Sequence, residues 1–175
     1  MIFSFDILEE YKIQNQSYEI SKMTDAKTIT IGDVMTKSVI SVDATLTINE
    51  TAKMMEDAKV GAVIVMEDNA PIGIVTDRDF SVKVAAHAYQ ITEPVKQIMS
   101  SPLFSINSDE PVRIAADLMH ERKIRKLPVI DDGKVVGIIT ATDIVNLLSV
   151  SVEDDMRDMY FHSVAKIYTN YSPYN

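Results

Sequence analysis

Gly73-Ile74-Val75-Thr76-Asp77-Arg78-Asp79 returns sixty-four residues later as Gly137-Ile138-Ile139-Thr140-Ala141-Thr142-Asp143. A glycine, an apolar pair, a threonine and an aspartate three places on read as a buried strand turning directly into a helix. The same offset extends toward the N-terminus without a gap. Asp33-Val34-Met35 falls on Gln97-Ile98-Met99, and Val39-Ile40-Ser41-Val42 falls on Leu103-Phe104-Ser105-Ile106. Ala52 and Met55 fall on Ala116 and Met119. Spacing and residue class hold together over roughly 50 positions, so the chain contains one unit twice.

Each copy reads as β-α-β-β-α. The first strand is short and β-branched, at residues 38–42 and again at 103–106. A helix follows, with Ile48, Ala52, Met55 and Ala58 at helical spacing. Thr47 with Glu50 three residues on marks its start as a capping box, and in the second copy Pro111 stands in the first turn. Two apolar strands come next, at 62–66 and 72–75, then at 127–130 and 135–139. Asp131-Asp132-Gly133 is the tight-turn signal between the second pair. A final helix starts after Thr76 and after Thr140. A single unit of about 50–60 residues buries too little surface to be robust alone. Two copies stacked on a common face solve that problem, and the seam between them makes two equivalent grooves where a ligand is expected.

Composition narrows the chemistry. The 175 residues are 46% apolar, enough for a substantial core and too many for a disordered chain. No run of 18 apolar residues occurs, and the apolar start Met1-Ile2-Phe3 meets Asp6 without a basic flank. Neither a membrane span nor a secretory signal is therefore expected. The absence of cysteine excludes disulfides, thiolate catalysis and thiolate zinc sites, and a cytoplasmic setting is the expectation. With 17 basic against 26 acidic residues and a net charge of -9, phosphate-backbone binding to nucleic acid is disfavoured. A local basic patch can still capture one phosphorylated small molecule.

The chain resembles a tandem pair of cystathionine-β-synthase (CBS) domains, the assembly called a Bateman module. Asp33-Val34-Met35-Thr36, Leu127-Pro128-Val129-Ile130-Asp131 and the two glycine-to-aspartate segments carry the resemblance, which covers residues 31–150. It implies an α+β fold: two β-α-β-β-α repeats packed sheet to sheet about a pseudo-two-fold axis. The expected divisions are an N-terminal extension (1–30), repeat one (31–90), repeat two (91–150) and an aromatic helical tail (151–175). The resemblance further implies a non-catalytic regulatory module, an energy or metabolite sensor. Its ligand would contain adenosine, namely AMP, ADP, ATP or S-adenosylmethionine, and the module would be a homodimer acting on a protein target. The alternative is a structural adaptor or dimerisation module whose clefts stay empty and whose terminal segments dock a partner.

Carried over residue by residue, Thr76 and Asp79 would hold the ribose and its phosphate linkage in one cleft, with Phe104, Ile124 and Arg125 opposite. Thr140 and Asp143 would do so in the other, facing Ile40, Val60 and Gly61. A basic residue at the Lys123 position reaches phosphate in the family pattern. Lys123 and Lys59 are therefore candidates, with Arg122 and Arg125 in support.

The residue types suit these roles. An ionised aspartate accepts hydrogen bonds and donates none, matching a ribose diol that offers two donors. The same Thr and Asp can equally cap the helix that follows, and the two roles can coexist. Arg78 could add a bidentate phosphate contact where the second copy has Thr142. Residues 122–126 place four positive charges in five positions, whereas the matching stretch 58–62 keeps only Lys59. His87, His120 and His162 lack metal-ligand spacing, the ten methionines read as core filling, and no nucleophile–base pair or Walker-type loop is present. Four of the seven tyrosines fall in the last 16 residues, in a segment expected to bury one face on its own module or across a dimer.

Overall fold

The computed structural model describes residues 29–150 and, in the tail, residues 161, 162, 164, 165, 167 and 168. Most of the expected extension and tail thus lies outside the described residues. In chain order the elements are α1 (Ile31–Val34), β1 (Ser41–Asp43), α2 (Ile48–Ala58), β2 (Ala62–Glu67) and β3 (Ala70–Thr76). Then come α3 (Asp77–Asp79, extended by a π-wound stretch Phe80–Ala86), a short 3-10 turn (Val95–Gln97), α4 (Val112–Arg122), β4 (Lys126–Asp131), β5 (Lys134–Thr140) and α5 (Ala141–Val150). In the first unit β1 runs parallel to β2, and β2 is antiparallel to β3. In the second, β4 and β5 form the matching antiparallel pair.

The duplication extends to fine geometry. Asp68 and Asn69 turn the first hairpin with φ of 50° and 63°, and Asp132 and Gly133 turn the second with 49° and 75°. Two successive positive φ values make the tight turn whose twist matches a hairpin, and Asp, Asn and Gly are the residues that tolerate it. Both hairpins shift register at the same place, after Val65 and after Val129.

One strand departs from the sequence reading. Residues 103–106, expected as a strand, contribute a single parallel pairing between Ile106 and Val129. The cause lies across the ladder. In the first unit the Ile64 N–H donates to the Ile40 carbonyl at 3.0 Å. The matching position in the second unit is Pro128, which has no N–H, so this rung cannot form and the edge strand shortens.

α2 opens as its sequence predicted. Thr47 accepts from the Glu50 N–H at 3.2 Å, while Glu50 accepts from the Thr47 N–H at 3.1 Å. Those bonds, the hydroxyl first, hold the Glu50 carboxyl below its ordinary value; Thr45 does the same for Asp43 and Ser108 for Asp131. A carboxyl depressed in the folded state adds stability above its unfolded pKa, and loses it as pH falls through the folded value. The melting temperature is therefore expected to fall as pH drops below about 4. Glu50→Gln should flatten that slope in thermal scans from pH 6 to 3; an unchanged slope would remove Glu50 from the account.

The two cores exchange their leading segments. Val95 and Ile98 are fully buried among Val42, Ile48, Met55, Val63, Val65 and Val75 of the first unit. Ile31 is fully buried among Val112, Ala116, Met119, Leu127, Val129 and Ile139 of the second. Backbone bonds follow the same crossing: Thr36 and Ile138 exchange two at 2.9 Å each, and Ser100 and Ile74 do so at 2.8 and 3.2 Å. Gly73 and Gly137 mark the crossings. A Cβ on Gly73 would lie 2.6 Å from Met99 Sδ and 3.0 Å from the Ser100 carbonyl oxygen. A Cβ on Gly137 would meet Met35 Sδ and lie 3.1 Å from the Thr36 oxygen. The tail also joins the second core, with Ile167 buried and Val164 packed beside it.

Candidate functional site

Strands β3 and β5 end side by side at the seam, each leading straight into a helix. The two junctions are built alike. Asp79 Oδ2 accepts from the Thr76 N–H at 2.8 Å and the Thr76 hydroxyl at 2.7 Å. Asp143 Oδ2 accepts from the Thr140 N–H and hydroxyl at 2.7 Å each. One carboxylate oxygen of each aspartate is thus spent on capping, and the other remains for outside chemistry.

What the outer oxygens meet differs. Asp79 is 8% exposed, and its Oδ1 accepts from Lys83 Nζ at 3.0 Å and the Ser100 hydroxyl at 3.2 Å. Lys83 also donates to the Ile98 and Met99 carbonyls at 2.6 and 3.2 Å, which ties it to the exchanged segment of the second unit. Asp143 is half-buried, and among the described residues no bond reaches its Oδ1. Leu147 stands where Lys83 would.

A cavity of about 720 Å³ opens at this seam. The first unit lines it with Thr76, Asp77, Arg78, Asp79 and Lys83; the second with Lys123, Ile124, Arg125, Lys126 and Thr140. Of the candidates for the Asp79 cleft, Thr76, Asp79, Arg78, Ile124, Arg125 and Lys123 therefore meet at one place, as Thr140 does. Lys123 caps the end of α4 in the left-handed conformation, with φ 55° and ψ 38°, and Lys59 caps α2 in the same way. A left-handed residue here ends each helix in the common way, at a cost of order 1 kcal/mol for a non-glycine residue. Lys123 is among the residues that line the cavity, while Lys59 is exposed outside it.

Phe104 lies outside the lining. With no rung at Pro128 it is not held along β4, and its ring sits under Arg122, whose Cζ is 4.7 Å from the ring centre. Arg122, outside the lining as well, thus serves a cation–π contact and a 3.4 Å ion pair with Glu121. Ile40 and Val60 pack against the first core, and the Gly61 carbonyl accepts from Lys126 Nζ at 2.7 Å. Asp143 and the residues expected opposite it are therefore not part of the lined cavity.

The lining residues that were not among the sequence candidates include Lys83, Lys126 and Tyr168. The spacing of Asp79 and Lys83, four apart on a helix, is a readable acid–base pair. Lys126 belongs to the basic stretch already singled out. Tyr168 is brought in by the docking of Ile167, which no local pattern reveals. Among the described residues no cluster of three His, Asp or Glu side chains could hold a metal, and no helix is long and apolar enough to cross a membrane.

The CBS domain family model matches residues 31–85 and 95–150. The chain is similar to the CBS domain-containing protein YhcV of Bacillus subtilis, 36% identical over 68% of this chain and 86% of that protein. It is 34% identical to an uncharacterized protein of Methanopyrus kandleri, over 75% of this chain and 70% of the other. Among solved structures it is similar to the CBS domain pair of protein MJ0100, in complex with 5′-methylthioadenosine and S-adenosyl-L-methionine. That match has a TM-score of 0.64 and 27% identity, covering 70% of this chain and 98% of the other.

Proposed function

The chain belongs to the CBS-domain family, and on that premise we propose that it is a non-catalytic regulatory module whose seam binds an adenosine-containing ligand. The observation that carries the reading is the cavity between the repeats, where Thr76 and Asp79 of one face Ile124 and Arg125 of the other. The complex of protein MJ0100 with two adenosine derivatives supports the same ligand class here. The ribose diol would bond the outer oxygen of Asp79, the base would lie against Ile124, and phosphates would reach the cations at the margin. Ligand touching both repeats would favour the arrangement it fits best, and only by its difference in affinity between arrangements. That difference is the sensing signal.

Calorimetric titration with AMP, ATP and S-adenosylmethionine tests this reading. Binding with micromolar dissociation constants is expected for at least one of them. An adaptor with empty clefts gives no heat with any. Tyr168 offers a second readout, because the chain has no tryptophan. Tyr168→Trp places the sole tryptophan in the cavity wall, and its emission should shift on ligand addition but not with unrelated sugars.

A further inference from the structure

We propose that the cleft headed by Asp79 is the single high-affinity site of the chain and selects nucleoside polyphosphates over uncharged or cationic adenosine derivatives. The proposal rests on the reading that an adenosine-containing ligand enters the seam. It adds which cleft is used and which ligand charge is required.

The two clefts share a backbone but not a charge. Among the described residues, Arg78, Lys83, Lys123, Arg125 and Lys126 line the cavity together with Asp77 and Asp79, on a chain whose net charge is -9. Sixty-four residues away, Leu147 replaces the Lys83 position, Gly61 that of Arg125 and Ala62 that of Lys126; only Lys59 matches Lys123 in charge. The excess of positive charge therefore belongs to one cleft. Fixed cations converging on a partly enclosed space attract a multiply charged anion far more than a neutral one.

Lys83 sharpens the selection. Its ammonium, with 29% of the side chain exposed, sits on the outer oxygen of Asp79 that a ribose diol needs. A neutral nucleoside must displace that ion pair and offers the ammonium only uncharged acceptors in return. A nucleotide brings phosphate oxygens that take over as the partner of Lys83 and bond Arg125 and Lys123 at the same time. A cationic ligand such as S-adenosylmethionine meets repulsion instead.

Lys126 closes the other side. Its ammonium crosses the seam to the Gly61 carbonyl and lies 3.8 Å from Asp77 Oδ1. A Cβ placed on Gly61 would lie 3.0 Å from Lys126 Nζ, so this side chain covers the glycine expected opposite Asp143. One residue expected in the duplicate cleft is thus already engaged by a side chain from across the seam.

The test is calorimetry in magnesium-free buffer at fixed salt with ATP, AMP, adenosine and S-adenosylmethionine. The wild-type chain is expected to bind one ATP, to bind AMP about tenfold more weakly, and to bind adenosine and S-adenosylmethionine more weakly again. Asp143→Ala should leave ATP affinity and stoichiometry unchanged. Lys83→Leu, which copies the other cleft, should narrow the gap between ATP and adenosine about tenfold. Arg125→Gly, an exposed change, should lower ATP affinity about tenfold with adenosine unmoved, and it tests the proposal should Lys83→Leu not fold. Two equal ATP sites, or adenosine binding as tightly as ATP, overturns the charge selection while leaving the sensor reading intact. Failure of all four ligands to bind overturns the sensor reading as well.

Discussion

Ile31→Ala is expected to cost about 2–5 kcal/mol and to weaken the second repeat first, although Ile31 precedes the first repeat in sequence. The side chain is fully buried between Val112, Met119 and Ile139, and alanine leaves a void that its neighbours fill only in part. Native-state hydrogen exchange separates the repeats. Amides of α4, β4 and β5 should lose protection, while those of β2 and β3 stay near their original values. Ile98→Ala should give the mirror image, since Ile98 is fully buried in the first core. Early loss of protection in β2 and β3 of the Ile31 variant would count against the exchanged arrangement.

The second large effect is expected at the crossing point. Gly137→Val would push a branched side chain against Met35 and toward the Thr36 carbonyl oxygen, 3.1 Å from the added Cβ. Methionine can move, but the backbone oxygen cannot move without disturbing the two bonds between Thr36 and Ile138. Overpacking of this kind costs about 1–3 kcal/mol. For a chain of this size the melting temperature falls roughly 2–4 °C for each kcal/mol. A double-mutant cycle checks the cause: Met35→Ala empties the space the valine needs and should restore part of the loss. Strict additivity of the two changes would place the damage elsewhere.

How far these features could be read in advance depended on whether a neighbour in sequence or a distant partner determined them. The duplicated unit was legible because its apolar spacing and its Gly-to-Asp segments are local patterns. The Thr76–Asp79 and Thr140–Asp143 junctions were legible for the same reason, since a cap is a contact across three residues. The exchange was not: Asp33-Val34-Met35 matches Gln97-Ile98-Met99 equally well whether each segment stays at home or crosses over. Glycine inside β3 and β5 was the one trace, pointing to close approach without saying of what. The shortened edge before Ile106 follows from Pro128, twenty-two residues on, and so does the displacement of Phe104 from the cavity. Lys83 was within reach of sequence reasoning through its spacing from Asp79. Tyr168 was not, because its place depends on where Ile167 docks.

The swapped leading segments also bear on how the chain is made. A ribosome delivers the first repeat before Val95 and Ile98, the residues that seal its core, have been added. Nascent β2 and β3 must wait, with apolar surface uncovered, until the start of their sibling emerges. Ile31 waits longer still, for partners as late as Ile139. Completion of either half is thus timed by translation of the other, and the two are born as one cooperative body.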